Sequence, residues 1–360
     1  MLAVGCGDAL PPVEKVIEHR LLAAPVRVVV PHQPDAIPEG LVAAEALPGE
    51  TVALATFAVG PDGPVEPETL GLRWIACELP PGAGVFSCLS ERFPFQLDAL
   101  PTCEFAGLDE VLALGEAPAF ESPCLLANDP REGFEVPVSA GTLSGSSLEL
   151  TAVGATPGGT PFERCAQDLL DGRSDLPNDC VYGVQVVSVG PEQRLLRWLS
   201  SMGLADVEVP PEDEVDPVDV HPRITRFAVS VLGDDDEPVG EAVEVPRGGT
   251  VEVRVGQRLR IDTTSPEDDL QEYRYPVNSG AAFETAREQY TGQWFITWGS
   301  LLSPESIDAR SYNEWTLEAA DDDASGPPGD VAHLYYVVRD GRNGAEHWWI
   351  SVVFTGGGEA

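Results

Sequence analysis

The sequence predicts a mainly β protein, a cysteine-containing β-rich domain with one or two short helices followed by a C-terminal antiparallel β-sandwich. Three observations carry that expectation. Short runs of β-branched and aromatic residues alternate with polar ones, and 36 Gly and 33 Pro punctuate the 360 residues. Six of the seven cysteines fall between positions 77 and 180, none beyond. An acidic, proline-rich stretch at 206–222 separates the two patterns.

Residues 7–19 have the composition of a flexible spacer, opening Gly7-Asp8-Ala9-Leu10-Pro11-Pro12. The domain expected at 20–205 then begins with Val26–Val30, β-branched and bounded by prolines. Pro48-Gly49-Glu50 signals a turn, 51–59 reads as one strand, and Gly60-Pro61-Asp62-Gly63 ends it. Residues 72–77 alternate around Trp74, and 80–129 read as a long loop. Strand patterns resume at 147–153 and at Cys180–Val189, with a short helix at Phe162–Leu170 between them. Leu195, Trp198, Leu199 and Met202 share one face of a second helix.

Residues 206–222 carry four prolines, seven acidic side chains and no basic one, the composition of an extended linker. Beyond it, seven candidate strands at 224–232, 250–255, 258–263, 294–298, 314–318, 331–338 and 347–354 are separated by turn clusters. That spacing predicts a sandwich over 223–356 that folds by itself.

Charge narrows the function classes. With 60 Asp and Glu against 21 Lys and Arg the formal charge is −39, and Lys15 is the single lysine. Such a polyanion repels phosphate backbones, which excludes nucleic acid as a partner. The sequence shows no G-x-S-x-G elbow, H-E-x-x-H or phosphate loop, so no enzyme activity and no cofactor are expected. The acidic turns Asp234-Asp235-Asp236 and Asp321-Asp322-Asp323 are weak calcium candidates, because clustered loop carboxylates can supply oxygen ligands. No other metal site is expected.

Removing Cys6 leaves an even set, Cys77, Cys88, Cys103, Cys124, Cys165 and Cys180, without zinc-site spacing. Three disulfides in an oxidising compartment fit it, with Cys165–Cys180 the natural local pair because it brackets a short, turn-rich segment.

The opening Met1-Leu2-Ala3-Val4-Gly5-Cys6 resembles the end of a bacterial lipobox, with Ala3 where Leu is usual. The resemblance implies that 1–6 is the remnant of a signal whose start lies further upstream, and that Cys6 carries lipid. Gly7, rather than aspartate, after the cysteine implies the outer membrane, with a periplasmic or secreted home as the alternative. The Pro-Gly-Glu turn, the Pro-Asp-Gly turn and the Trp74 strand resemble the opening of Ig-like domains. The final hairpin, 334–349 around Arg339-Asp340-Gly341-Arg342-Asn343-Gly344, resembles the last strand pair of Ig-like and PKD-like modules of bacterial surface proteins.

Five of the seven tryptophans lie in the C-terminal region. Neighbours on a strand point to opposite faces, so only one of Trp348 and Trp349, and one of Tyr335 and Tyr336, enters the core. The others would form an outward aromatic row for a surface glycan or an envelope protein. Together these readings describe a non-catalytic cell-envelope lipoprotein with a structural or binding role. An extracellular hydrolase or a carbohydrate-binding accessory module is the alternative.

Overall fold

Period-two patterning places almost every core side chain. On the strand Arg73–Leu79, Trp74 and Ala76 enter one hydrophobic cluster while Ile75 and Cys77 enter another on the opposite face. The computed structural model that shows this describes residues 14–80, 100–114, 117–171, 177–203, 216–277, 282–318 and 329–355.

The N-terminal half is built on a five-stranded sheet in the order Glu45–Ala46, Cys180–Val189, Ser147–Ala155, Arg73–Leu79, Cys124–Leu125. One face packs Trp74, Leu148, Leu150 and Val181 against Val26, Val52 and Leu54 of a smaller sheet. The other face carries the helix Phe162–Leu170, with Cys165 and Ala166 buried on Ile75 and Val153. Cys165 is joined to Cys180 and Cys103 to Cys124, and Cys77 is also disulfide-bonded. The expected Cys165–Cys180 bridge is therefore present, closing a loop of the size worth ~3 kcal/mol in chain entropy. Cys6 and Cys88 lie outside the described residues.

The run at 51–59 is two strands rather than one. Thr51–Leu54 pairs with Val26–Val30, and Phe57–Gly60 pairs with Arg20–Ala23 in a different sheet. The break falls opposite Pro25, which has no N–H to give a ladder; its carbonyl instead accepts the Ala55 N–H at 2.9 Å. Both partner strands change sheets there together. The helix Glu192–Ser201 buries Leu195, Trp198 and Leu199 against Leu47, while Met202 follows its end and is exposed. Arg194 on this helix reaches the fully buried Glu50 at 2.8 Å, and Glu50 also accepts the N–H groups of His32 and Leu47. The Pro48-Gly49-Glu50 turn is thus the helix's docking point.

In the C-terminal half two five-stranded sheets face each other. One runs Pro238–Glu244, Arg226–Leu232, Arg258–Thr264, Arg310–Thr316, Ser300–Leu301; the other runs Gly249–Val253, Ala345–Phe354, Val331–Arg339, Thr291–Ile296, Glu305–Ser306. Phe227, Leu259, Ile261 and Trp315 from the first meet Trp294, Ile296, Leu334, Tyr336 and Ile350 from the second. All seven expected strands are present with shifted ends. The sandwich is not wholly antiparallel, since Gly249–Val253 runs parallel to Ile350–Phe354. The sequence reading missed the edge strand Pro238–Glu244, exposed at every position, the hairpin Glu272–Val277 with Ala282–Arg287, and the two-residue strands Ser300–Leu301 and Glu305–Ser306. Pro238–Glu244 buries no face, so its few apolar residues carry no core signal.

Two expected connectors are partly structural. In the spacer 7–19, Val16 is fully buried, its N–H donates to the Ile296 carbonyl, and the Ile296 N–H donates to Glu14. In the linker 206–222, Val218, Asp219, Val220 and His221 are buried; the Ala44 N–H donates to the Asp219 carbonyl and the His221 N–H to Val42. These few apolar residues, hidden among Pro and Asp, dock the segment between the halves, whereas 204–215 lie outside the described residues.

Candidate functional site at the junction of the two halves

The hairpin that joins Val331–Arg339 to Ala345–Phe354 meets the N-terminal half over two kinds of surface. The first is apolar. Tyr336 faces Trp348 across the strand pair and Tyr335 faces Trp349. Tyr336 and Trp348 point into the sandwich, where Trp348 stacks on Phe227 with centroids 5.9 Å apart and donates its Nε1–H to the Val245 carbonyl. Tyr335 and Trp349 point the other way, as alternation requires. There they meet Leu22, Ala23, Phe57 and Val59 of the N-terminal half, with Val16, which bury Tyr335 fully and Trp349 in part. Tyr335 is fully buried, lies 5.9 Å edge-on to Phe57 and donates its hydroxyl to the Gly60 carbonyl at 3.3 Å. His347 stacks on the other side of Phe57 at 4.1 Å. Tyr335 and Tyr336 are therefore no part of an outward aromatic row, since both are buried, while Trp348 and Trp349 are half-buried.

The second surface is charged and equally buried. The loop Asp340–Gly344 enters between Glu45, the segment 216–222 and the loop that follows the hairpin strand Ala282–Arg287. Arg342 donates from Nη2 to both oxygens of Glu45 at 2.9 Å and from Nη1 to Glu288 at 3.1 Å, and its guanidinium lies 4.8 Å from the Tyr273 ring centre. Asp219 accepts the Asn343 N–H at 2.8 Å, and Asp340 accepts the N–H groups of Arg342 and Gly344 at 2.9 and 3.2 Å. Ser188 donates to Asn343 at 2.6 Å. Four buried carboxyl groups therefore surround one guanidinium.

Burial, which disfavours the charged form, dominates their titration. It pushes Glu45 up to about 7 against the pull of Arg342, Asp219 up to about 6, and Asp340 up to about 8 with Asp219 adding to the rise; Glu288 is raised too. Burial works against the Arg342 cation, but Glu45, Asp219 and Glu288 outweigh it and hold the guanidinium above its ordinary range. Close by, His221 joins the halves as a neutral ring: one nitrogen meets the Val26 carbonyl and the other accepts the Ala345 N–H at 3.1 Å. Burial brings His221 and His347 down to about 4 and lowers His333 as well.

A cleft of about 410 Å³ opens onto the edge of this cluster, lined among others by Glu45, Asp216, Tyr273, Arg274 and Asn343. Its two carboxylates nearest the cluster are each held by a guanidinium, Glu45 by Arg342 and Asp216 by Arg274 at 3.1 Å. The cleft is therefore a polar, hydrogen-bonding surface.

The calcium candidates lie elsewhere. Asp234, Asp235 and Asp236 form the exposed turn before Pro238–Glu244, with Asp236 at φ 64° and paired with Arg258. Asp321, Asp322 and Asp323 lie outside the described residues. Among the described residues no group of three or more His, Cys, Asp or Glu side chains is placed to hold a metal ion. Sequence reasoning did not find Glu45, Asp219, Glu288, Asp340 or Arg342, which are scattered over nearly 300 positions. The one available signal was the apolar Val218 and Val220 flanking Asp219 inside an acidic stretch. The chain matches no protein-family model, no curated protein and no solved structure.

Proposed function

We propose that the chain is a non-catalytic protein of a bacterial cell envelope, lipid-anchored through Cys6 at the outer membrane, with a structural or binding role. The observation that carries this reading is the pair of disulfides Cys103–Cys124 and Cys165–Cys180, since such bonds persist in oxidising compartments. The −39 charge supports an exposed, self-repelling surface. With Tyr335 buried and Trp349 packed in part on the N-terminal half, binding falls to the polar cleft at Glu45, Arg274 and Asn343, whose hydrogen-bonding groups suit a glycan or a polar segment of an envelope protein.

Fractionation of cells expressing the native gene tests the reading. Membrane-bound chain that incorporates labelled palmitate, loses the label in Cys6→Ser and resists thiol alkylation until reduced supports it. A cytoplasmic chain whose cysteines alkylate without reductant overturns it.

A further inference from the structure

Within the charged surface, two oxygen atoms stand out. Oδ1 of Asp219 and Oδ2 of Asp340 are buried and have no hydrogen-bond partner among the described residues, although Asp219 is 0% and Asp340 1% exposed. Their sister oxygens are occupied: Oδ2 of Asp219 by the Asn343 N–H, Oδ1 of Asp340 by the N–H groups of Arg342 and Gly344. The surroundings of the free oxygens make this costly. A Cβ built on Gly344 would stand 1.8 Å from Oδ2 of Asp340 and 2.8 Å from the Val220 carbonyl oxygen, so two acceptors crowd the same side of Gly344. Acceptors brought together out of water repel unless a proton lies among them.

Charge counting leads to the same place. Glu45, Asp219, Glu288 and Asp340 converge on Arg342. Full ionisation would leave three uncompensated negative charges in a buried site, and an unpaired buried charge is far costlier than a protonated carboxyl. The other charged groups around the cluster offer little relief. Arg223 is committed to Asp269 at 2.6 Å and Arg274 to Asp216, while the His221 ring lies between Val26 and Ala345. Tyr290 gives its hydroxyl to the Pro266 carbonyl.

We propose that the loop Asp340–Gly344 is a proton-operated latch: the Asp219–Asp340 pair holds a proton while the halves are closed, and losing it loosens the loop from Glu45 and the 216–222 segment. The loop meets the 216–222 segment through the Asn343 N–H, which donates to Asp219, while the Arg342 and Gly344 N–H groups hold the Asp340 carboxyl within the loop. Deprotonation sets carboxylate against carboxylate and carbonyl without removing any donor. The sign follows: acid closes the latch and alkali opens it. This inference is independent of the envelope reading, since it needs no compartment and no ligand.

Hydrogen exchange on the full chain between pH 5 and 9, corrected for intrinsic rates, tests it. Peptides covering 41–46, 216–222 and 339–346 should lose at least tenfold protection from pH 6 to 9, while a peptide from Arg226–Leu232 stays level. In Asp340→Asn the amide keeps the acceptor oxygen and carries a permanent donor, so protection at the three segments should become flat with pH. Should Asp340→Asn fail to fold, Asp219→Asn supplies a donor from the other side and should give the same flat profile. Protection at the junction that is level with pH in the unsubstituted chain, a full alkaline loss retained in the variants, or a loss reversed by added calcium would each overturn the latch.

Discussion

The apolar and charged surfaces of the junction join the same two halves, yet they fail in different ways. Around Phe57 and Tyr335 the contact is made by dispersion and burial, which depend little on pH and decline gradually as atoms are removed. Around Arg342 the contact is made by a guanidinium among four carboxyls, where removing one partner leaves the others buried and unpaired. The difference separates adhesion from switching: the apolar surface supplies affinity between the halves, and the charged surface makes that affinity conditional.

Breaking the charged surface should have the largest effect. Arg342→Ala leaves Glu45, Asp219 and Glu288 without their counter-charge, and urea unfolding should show a loss of about 3–5 kcal/mol at neutral pH. The loss should shrink in acid, where the carboxyls protonate. Phe57→Ala should cost about 3 kcal/mol through the cavity it leaves beside Tyr335 and His347, equally at pH 8 and pH 9, where the His347 ring is neutral with or without its cover. A Phe57→Ala penalty that changes between pH 8 and pH 9 would erase the distinction between the surfaces.

The pH profile of the melting temperature sharpens the comparison further. Glu45, Asp219 and Asp340 titrate higher in the folded chain than the ordinary ~4 of an unfolded carboxyl, so their contribution is complete in acid and is lost as pH rises toward 8. His221 and His347 titrate at about 4 when folded against an ordinary ~6.5, so stability from them is lost as pH falls through that window. The two slopes oppose each other between about pH 4 and 6.5, and only the carboxyls titrate above it. Three carboxyls outweigh two histidines below about pH 6.5 and Glu45 and Asp340 carry the slope above it, so scanning calorimetry should show a steady decline from about pH 5 to pH 8. The smallest effect belongs to Tyr335→Phe, which removes one hydroxyl from the Gly60 carbonyl and should cost about 1 kcal/mol.

Strands buried on both faces were legible as apolar runs: Ser147–Ala155 and Val331–Arg339 are buried at every interior position, and the strand around Trp74 feeds a different cluster from each face. The Glu192–Ser201 helix was readable from its apolar face, and Cys165 with Cys180 from the short segment they bracket. Alternation also separated Tyr335 from Tyr336 and Trp348 from Trp349. What alternation cannot tell is what covers the second face, and there the chain supplied its own cover from Leu22, Phe57 and Val59. The charged surface was illegible for a different reason. Asp219 and Asp340 look like any solvated acid in a chain with 60 of them, and only tertiary contacts make them buried. The 216–222 segment was likewise masked by its prolines, although Val218 and Val220 are what bury it.

The central claim is that the two halves are held as one unit by this junction, and native-state hydrogen exchange on Phe57→Ala in the full chain tests it most directly. Phe57 belongs to the N-terminal half, and the amides of Val331–Arg339 belong to the C-terminal sandwich. If the halves open together, Phe57→Ala lowers the protection of Val331–Arg339 by the same free energy as that of Ser147–Ala155. Loss of protection confined to the N-terminal strands, with Val331–Arg339 unchanged, would show two independent units and contradict the claim.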